Sequence, residues 1–191
     1  MKNKKLIAAL IVAVLGVAGF TVSQTEVHSI VQQFFDTNTV TTPATPQQPS
    51  VPTESLDENG RELVAFEKCV DGDTFWVVSK DNGSFKIRLS GVNTPESTNK
   101  KEFYGNEASA YTCERIQEAQ VIALEYDTTQ KDSYNRKVVI VWLDNQNFNL
   151  ELVTKGYADL KYLKDTMPYA EQYRAAEAEA KAAGLGMWNK S

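Results

Sequence analysis

Between Glu62 and Val92 the sequence sets out three strand-like runs separated by two polar turns. ELVAFEKCV (62–70) meets Asp71-Gly72-Asp73, TFWVVSK (74–80) follows, and Asp81-Asn82-Gly83 leads into the third run. Short Asp/Asn-Gly turns between apolar runs signal hairpins. The third run, FKIRLSGV (85–92), alternates. Phe85, Ile87 and Leu89 share one face, and Lys86, Arg88 and Ser90 share the other. This register predicts that Arg88 points away from the core.

Downstream, YGNEASAYTCERIQEAQ (104–120) reads as a helix. VIALEYD (121–127) and KVVIVWLD (137–144) read as two more strands, the second apolar on both faces. FNLELVTKGY (148–157) suggests a short helix ending near Gly156. PYAEQYRAAEAEAKAAG (168–184) is an alanine-rich helix, with Pro168 at its start and Gly184 as its stop. Its apolar stripe is Tyr169, Tyr173, Ala176 and Ala180, which predicts core contacts. Five short strands with a helix between the third and fourth predict an α+β fold: a five-stranded Greek-key β-barrel of the OB type with three α-helices.

The first 60 residues read differently. Met1–Lys5 carries three lysines, and Leu6–Phe20 is an unbroken apolar run of 15 residues. That pattern makes residues 1–24 a signal peptide or, if uncleaved, an N-terminal membrane anchor. Val27, Ile30, Val31, Phe34 and Phe35 follow at helical spacing, a stalk. Four of the six prolines then fall in TNTVTTPATPQQPSVPTES, so residues 25–60 read as stalk and Pro/Thr-rich linker. The expected domain is 61–191, placed outside the cell, secreted or tethered to the outer face of its membrane.

The formal net charge is −5, and from Arg61 onward 17 Lys/Arg face 20 Asp/Glu. A polyanion site must therefore be a local cluster or a metal. The one histidine, His28, precedes the linker. The domain therefore has no Ser-His-Asp triad and no histidine-bearing zinc or nuclease centre. Carboxylates and arginines remain. Cys69 and Cys113 are the only cysteines. In an exported domain such a pair favours a disulfide over a metal site, with two unpaired buried thiols as the alternative.

Asp71-Gly72-Asp73 can be a plain turn or can offer oxygens to a hard cation. RLSGVNTPES (88–97) can be a surface turn or one wall of an active site. Arg136, in DSYNRK (132–137), can be a solvated turn residue. Taken together, VDGDT (70–74), IRLSGVNTPES (87–97), YGNEASAYT (104–112), DSYNRKVVIVW (132–142), NLELVTKGYA (149–158) and LGMWN (185–189) run in the order of one family. The chain resembles the staphylococcal nuclease (thermonuclease) family over nearly all of 62–190.

The resemblance implies a Ca²⁺-dependent nuclease, a hydrolase that cuts the P–O5′ bond of DNA or RNA and leaves 3′-phosphates. It implies that Asp73 binds Ca²⁺ through its carboxylate and Thr94 through its backbone carbonyl. Asn93 stands where the family has a second carboxylate ligand. Glu96 would be the general base, Arg88 and Arg136 the phosphate-holding groups, and Tyr134 and Tyr162 the walls of the nucleotide pocket. Nucleic acid is the implied partner of a monomer. Ser133 and Lys164 depart from the pattern, standing where the family has a lysine and a second pocket tyrosine. The competing reading is a catalytically inactive barrel that binds nucleic acid or protein. Retention of Asp73, Arg88, Glu96 and Arg136 favours the enzyme. Asparagine at 93 still offers an oxygen but removes a charge, so weak Ca²⁺ binding is expected.

Overall fold

The structure, a computed structural model, describes residues 50–189. The apolar N-terminal segment, the stalk and His28 lie outside the described residues. The elements are β1 (Glu62–Asp71), β2 (Thr74–Ser79), β3 (Gly83–Leu89), α1 (Gly105–Glu118), β4 (Ile122–Lys131), β5 (Lys137–Leu143), β6 (Gln146–Asn147), α2 (Phe148–Thr154) and α3 (Ala170–Ala182). A 3-10 turn follows at Gly186–Trp188.

The strands run in the order β3-β2-β1-β4-β5-β6, and β3 also pairs in parallel with β5. That last pairing closes the sheet into a five-stranded barrel, as the strand order in the sequence predicts. β1 carries irregularities between Phe66 and Lys68 and between Cys69 and Asp71. Such bulges bend a strand and let it turn around a small barrel.

Phe75, Val77, Ile87, Leu89, Leu124, Val139 and Val141 fill the barrel. Ile116 of α1 and Leu152 and Val153 of α2 join the same core. Each such fully buried side chain contributes about 1.5–3 kcal/mol relative to exposure. On α3 the buried face is Ala170, Tyr173, Ala176 and Ala180. The helix begins one residue later than its stripe suggested. Tyr169 is the cap, with φ 63°, and Ala170 takes the inward place.

Three further features have no clear periodic signal. Asn149 of α2 is fully buried between strands. Its Nδ2 donates to the carbonyl oxygens of Ser90 (3.0 Å) and Val139 (3.4 Å), and its Oδ1 accepts from Val141 N (3.0 Å). It pins the closing seam of the barrel to the helix. The two-residue strand β6 pairs with the end of β5. Residues just before β1 also lie on the barrel. Leu63 N donates to Ser55 O (2.9 Å), Lys80 Nζ to Thr53 O (2.8 Å), and Arg61 pairs with Asp57 (2.7 Å).

Cys69 and Cys113 are joined as a disulfide, with Cα atoms 5.9 Å apart. It ties β1 to α1 across a sequence separation of 44. Closing a loop of that size removes unfolded-chain entropy worth about 2–4 kcal/mol. Reduction should therefore lower the urea-unfolding free energy by that amount. Equal stability with and without reductant would count against the bridge.

Candidate active site

The sharp turn after β1 supplies the acidic centre. Asp71 pairs with Thr74, which leaves Gly72 and Asp73 as a two-residue turn. A Cβ on Gly72 would stand 2.7 Å from Thr94 Oγ1, so glycine lets the segment after β3 close over the turn. Thr112 of α1 donates to Gly72 O at 2.7 Å and holds the turn from behind. The Asp73 carboxylate is buried and well held. Its Oδ2 accepts from Thr94 N (3.0 Å) and pairs with Arg88 Nη2 (3.0 Å), while Oδ1 accepts from Thr74 Oγ1 (3.0 Å).

Arg88 lies on the non-core face of β3, as the alternation predicts, yet it is buried at 8% exposure. The turn and the segment after β3 cover it. Its Nη1 donates to the carbonyl oxygens of Leu89 and Val92, both at 2.7 Å. Burial lowers its pKa and Asp73 opposes that shift. A guanidinium stays charged throughout. Three of its five N–H groups are engaged, which leaves two for a ligand.

Barrel closure brings in the second arginine. β3 and β5 pair Arg88 with Val138, and Arg136 sits just ahead of β5. The loop before it is an Asx-type turn. Asp132 Oδ1 accepts from the backbone N–H of Tyr134 (2.9 Å) and Arg136 (3.0 Å). Asn135 takes φ 60°, a conformation that asparagine tolerates. Asp132 Oδ2 holds Arg136 Nε at 2.6 Å, and Arg136 Nη1 donates to Thr74 Oγ1 at 3.2 Å. Thr74 therefore links Asp73 to Arg136. The Tyr162 ring lies under the Arg88 guanidinium (5.5 Å) and the Tyr134 ring under that of Arg136 (5.3 Å).

Glu96, in the segment after β3, is exposed. Its side chain accepts only a long bond from Thr98 Oγ1, at 3.3 Å. Its backbone is fixed. Glu96 N donates to Glu102 Oε2 (3.0 Å), and Glu102 N donates to Glu96 O (2.9 Å). Gly105, the first residue of α1, packs so closely that a Cβ would stand 2.3 Å from Glu96 O. Asn93 is held by reciprocal backbone bonds with Asp159, at 2.9 and 2.8 Å.

All of these groups except Thr94 line one cleft of about 740 Å³: Asp73, Arg88, Asn93, Glu96, Tyr134, Arg136 and Tyr162. Thr94 is buried directly behind Asp73. Cys69 and Cys113 lie outside the cleft lining. The sequence reading missed Thr74, Glu102, Thr112 and Asp132, which position the others. Only Asp132 had a local signal, as an aspartate opening a short polar turn.

A family model described as "Staphylococcal nuclease homologue" matches residues 86–190. The thermonuclease of Staphylococcus intermedius is 33% identical over 139 residues, covering 71% of this chain and 81% of that protein. The chain belongs to the staphylococcal nuclease family. A second thermonuclease, from Staphylococcus hyicus, is 34% identical over 125 residues, 64% of this chain and 73% of its own. An uncharacterized endonuclease of Haemophilus influenzae is 31% identical over 123 residues, 63% of each chain. The chain is thus a nuclease, a hydrolase of phosphodiester bonds.

The cation donors of this nuclease are sparse. Among the described residues, no three His, Cys, Asp or Glu side chains converge as a metal cage. The available oxygens are the Asp73 carboxylate and the Asn93 amide, with the Thr94 backbone beside them. All are hard donors that suit a group-two ion. Asp73 has three of about four acceptor positions filled, so it can give one oxygen. Hard oxygens of this kind fit a divalent cation.

Acid should disarm the nuclease through Asp132. Burial raises this carboxyl's pKa, but hydrogen bonds from Arg136 and Tyr134 outweigh that and leave it below the ordinary value. A depressed folded-state pKa gives stability present above the unfolded value and lost as pH falls through the folded one. The Arg136 arm should therefore hold at neutral pH and loosen only as pH falls below the ordinary aspartate range. Asp132→Asn should remove this acid limb from the pH–KM profile, and an unchanged limb would point to another group.

Proposed function

We propose that this nuclease hydrolyses the P–O5′ bond of DNA or RNA with Ca²⁺, leaving 3′-phosphates. The observation that supports this reading is that Asp73, Arg88, Glu96 and Arg136 line one cleft, with Arg88 paired to Asp73. Arg88 and Arg136 hold the scissile phosphate through the N–H groups that their protein partners leave free. Both are pre-oriented by carboxylates, so little reorganisation is needed as charge grows on phosphorus. Glu96, free and facing solvent, aligns the attacking water and takes its proton. Tyr134 and Tyr162 flank the nucleotide. Asp73, Asn93 and the Thr94 carbonyl would hold the ion. Bound there, Ca²⁺ would polarise a phosphoryl oxygen.

Residues 1–24 export or anchor the chain, the Pro/Thr-rich stretch before Thr53 forms the spacer, and the domain works as a monomer outside the cell. The Cys69–Cys113 disulfide supports this reading, since such bonds persist in oxidising compartments.

Single-stranded DNA cleavage followed across a Ca²⁺ titration tests the proposal. Wild type should need high Ca²⁺ and stop in chelator. Asn93→Asp restores one ligand charge and should shift the midpoint to lower Ca²⁺ by about tenfold, or ~1.4 kcal/mol. At saturation the two should converge. Chelator-insensitive cleavage, or the same midpoint in both proteins, would remove Asn93 from the ligand set.

A further inference from the structure

We propose that Lys68, Trp76 and Lys86 form a second subsite that holds the single strand continuing out of the catalytic cleft. The proposal rests on the nucleic-acid reading of that cleft. The three residues stand directly opposite one another on β1, β2 and β3. Lys68 pairs with Trp76, and Trp76 with Lys86. Residues in such a row project from the same face of the sheet. It is the outer face, because Phe75, Val77 and Ile87 point into the core and alternate with them.

Trp76 belongs neither to the core cluster nor to the partly buried hydrophobics packed against it. Its partners are the two ammonium groups, Lys68 Nζ at 4.9 Å and Lys86 Nζ at 5.3 Å from the ring centre. Glu67 Oε1 lies 3.9 Å from Lys68 Nζ, an exposed contact of little energetic weight. The row is therefore a flat indole with a cation on each side, on a domain whose overall charge is negative.

This face runs directly into the cleft. The next pair on it is Thr74 with Arg88, two residues along each strand. That spacing is about 7 Å. Lys86 itself lines the cleft beside Arg88. A polynucleotide presents bases that stack on aromatic rings and phosphates that pair with lysines, in the combination found here. A strand whose scissile phosphate lies at Arg88 can place its next phosphate on Lys86, the base beyond the scissile dinucleotide on Trp76, and the phosphate after that on Lys68.

The test compares a dinucleotide, which ends before the subsite, with a dodecanucleotide of single-stranded DNA. kcat/KM is measured in Ca²⁺, and binding of the labelled longer strand by anisotropy in chelator. Trp76→Ala should weaken dodecanucleotide binding and kcat/KM by about tenfold, while the dinucleotide changes by less than about twofold. Trp76→Phe, which keeps a ring, should recover most of the loss. Lys68→Ala should reduce the magnitude of the slope of log affinity against log salt by about 0.7, one phosphate contact on a single strand. Unchanged dodecanucleotide affinity in Trp76→Ala would overturn the proposal, as would an equal loss on both lengths. Trp76-dependent binding by a wild type that cleaves neither strand would keep the subsite and sink only the catalytic reading.

Discussion

Glu96→Gln should lower turnover on single-stranded DNA by about two to four decades, the range for losing a positioned general base. Substrate binding should change little. The Glu96 side chain holds none of the phosphate-binding groups, and its one hydrogen-bond partner is Thr98. Stability should also hold, because the loop is fixed by Glu96 backbone atoms, Glu102 and Gly105 rather than by the Glu96 carboxylate. Kinetics under saturating Ca²⁺, with oligonucleotide affinity measured separately, check this. Near-normal turnover would leave the cleft without its base and favour a binding module.

Arg88→Lys should cost about two to three decades in turnover, the range for losing a donor aimed at developing charge. It should also lower stability, which distinguishes it from Glu96→Gln. The guanidinium satisfies the Leu89 and Val92 carbonyls and the buried Asp73 carboxylate at once. An ammonium is a point charge and cannot span the three. Leaving a buried acceptor unpaired costs about 1–3 kcal/mol. Urea unfolding and turnover on the same preparation separate the two losses. Wild-type turnover with reduced stability would make Arg88 a purely structural residue.

The elements of the barrel were legible because each is a local pattern. Alternation at Phe85, Ile87 and Leu89 sets a strand face wherever the strand goes. Pro168 and Gly184 bracket a helix by their own backbone chemistry. The resemblance of short motifs, Val70–Thr74 and Ile87–Ser97 among them, also lies within single stretches. It marked the groups later found around one cleft.

The supporting residues were not legible, because their partners come from elsewhere in the chain. Nothing around Thr112 announces that it holds Gly72, and nothing around Asn149 announces the seam of β3 and β5. Glu102 is an ordinary polar residue until the loop folds back on Glu96. Trp76 reads simply as a strand aromatic, and only cross-strand register sets it between Lys68 and Lys86.

The sequence alone thus determined the main strand and helix segments and the family. The segments follow from near-neighbour spacing and backbone preference, and the family from the resemblance of its short motifs. Tertiary structure decided that Arg88 is buried while lying off the core face, that Arg136 stands beside it, and that Asp73 is shared between Arg88 and Thr94. Those facts depend on β3 pairing with β5 across the closing seam. That is a long-range contact, and its loop-closure entropy is offset only when the whole core forms.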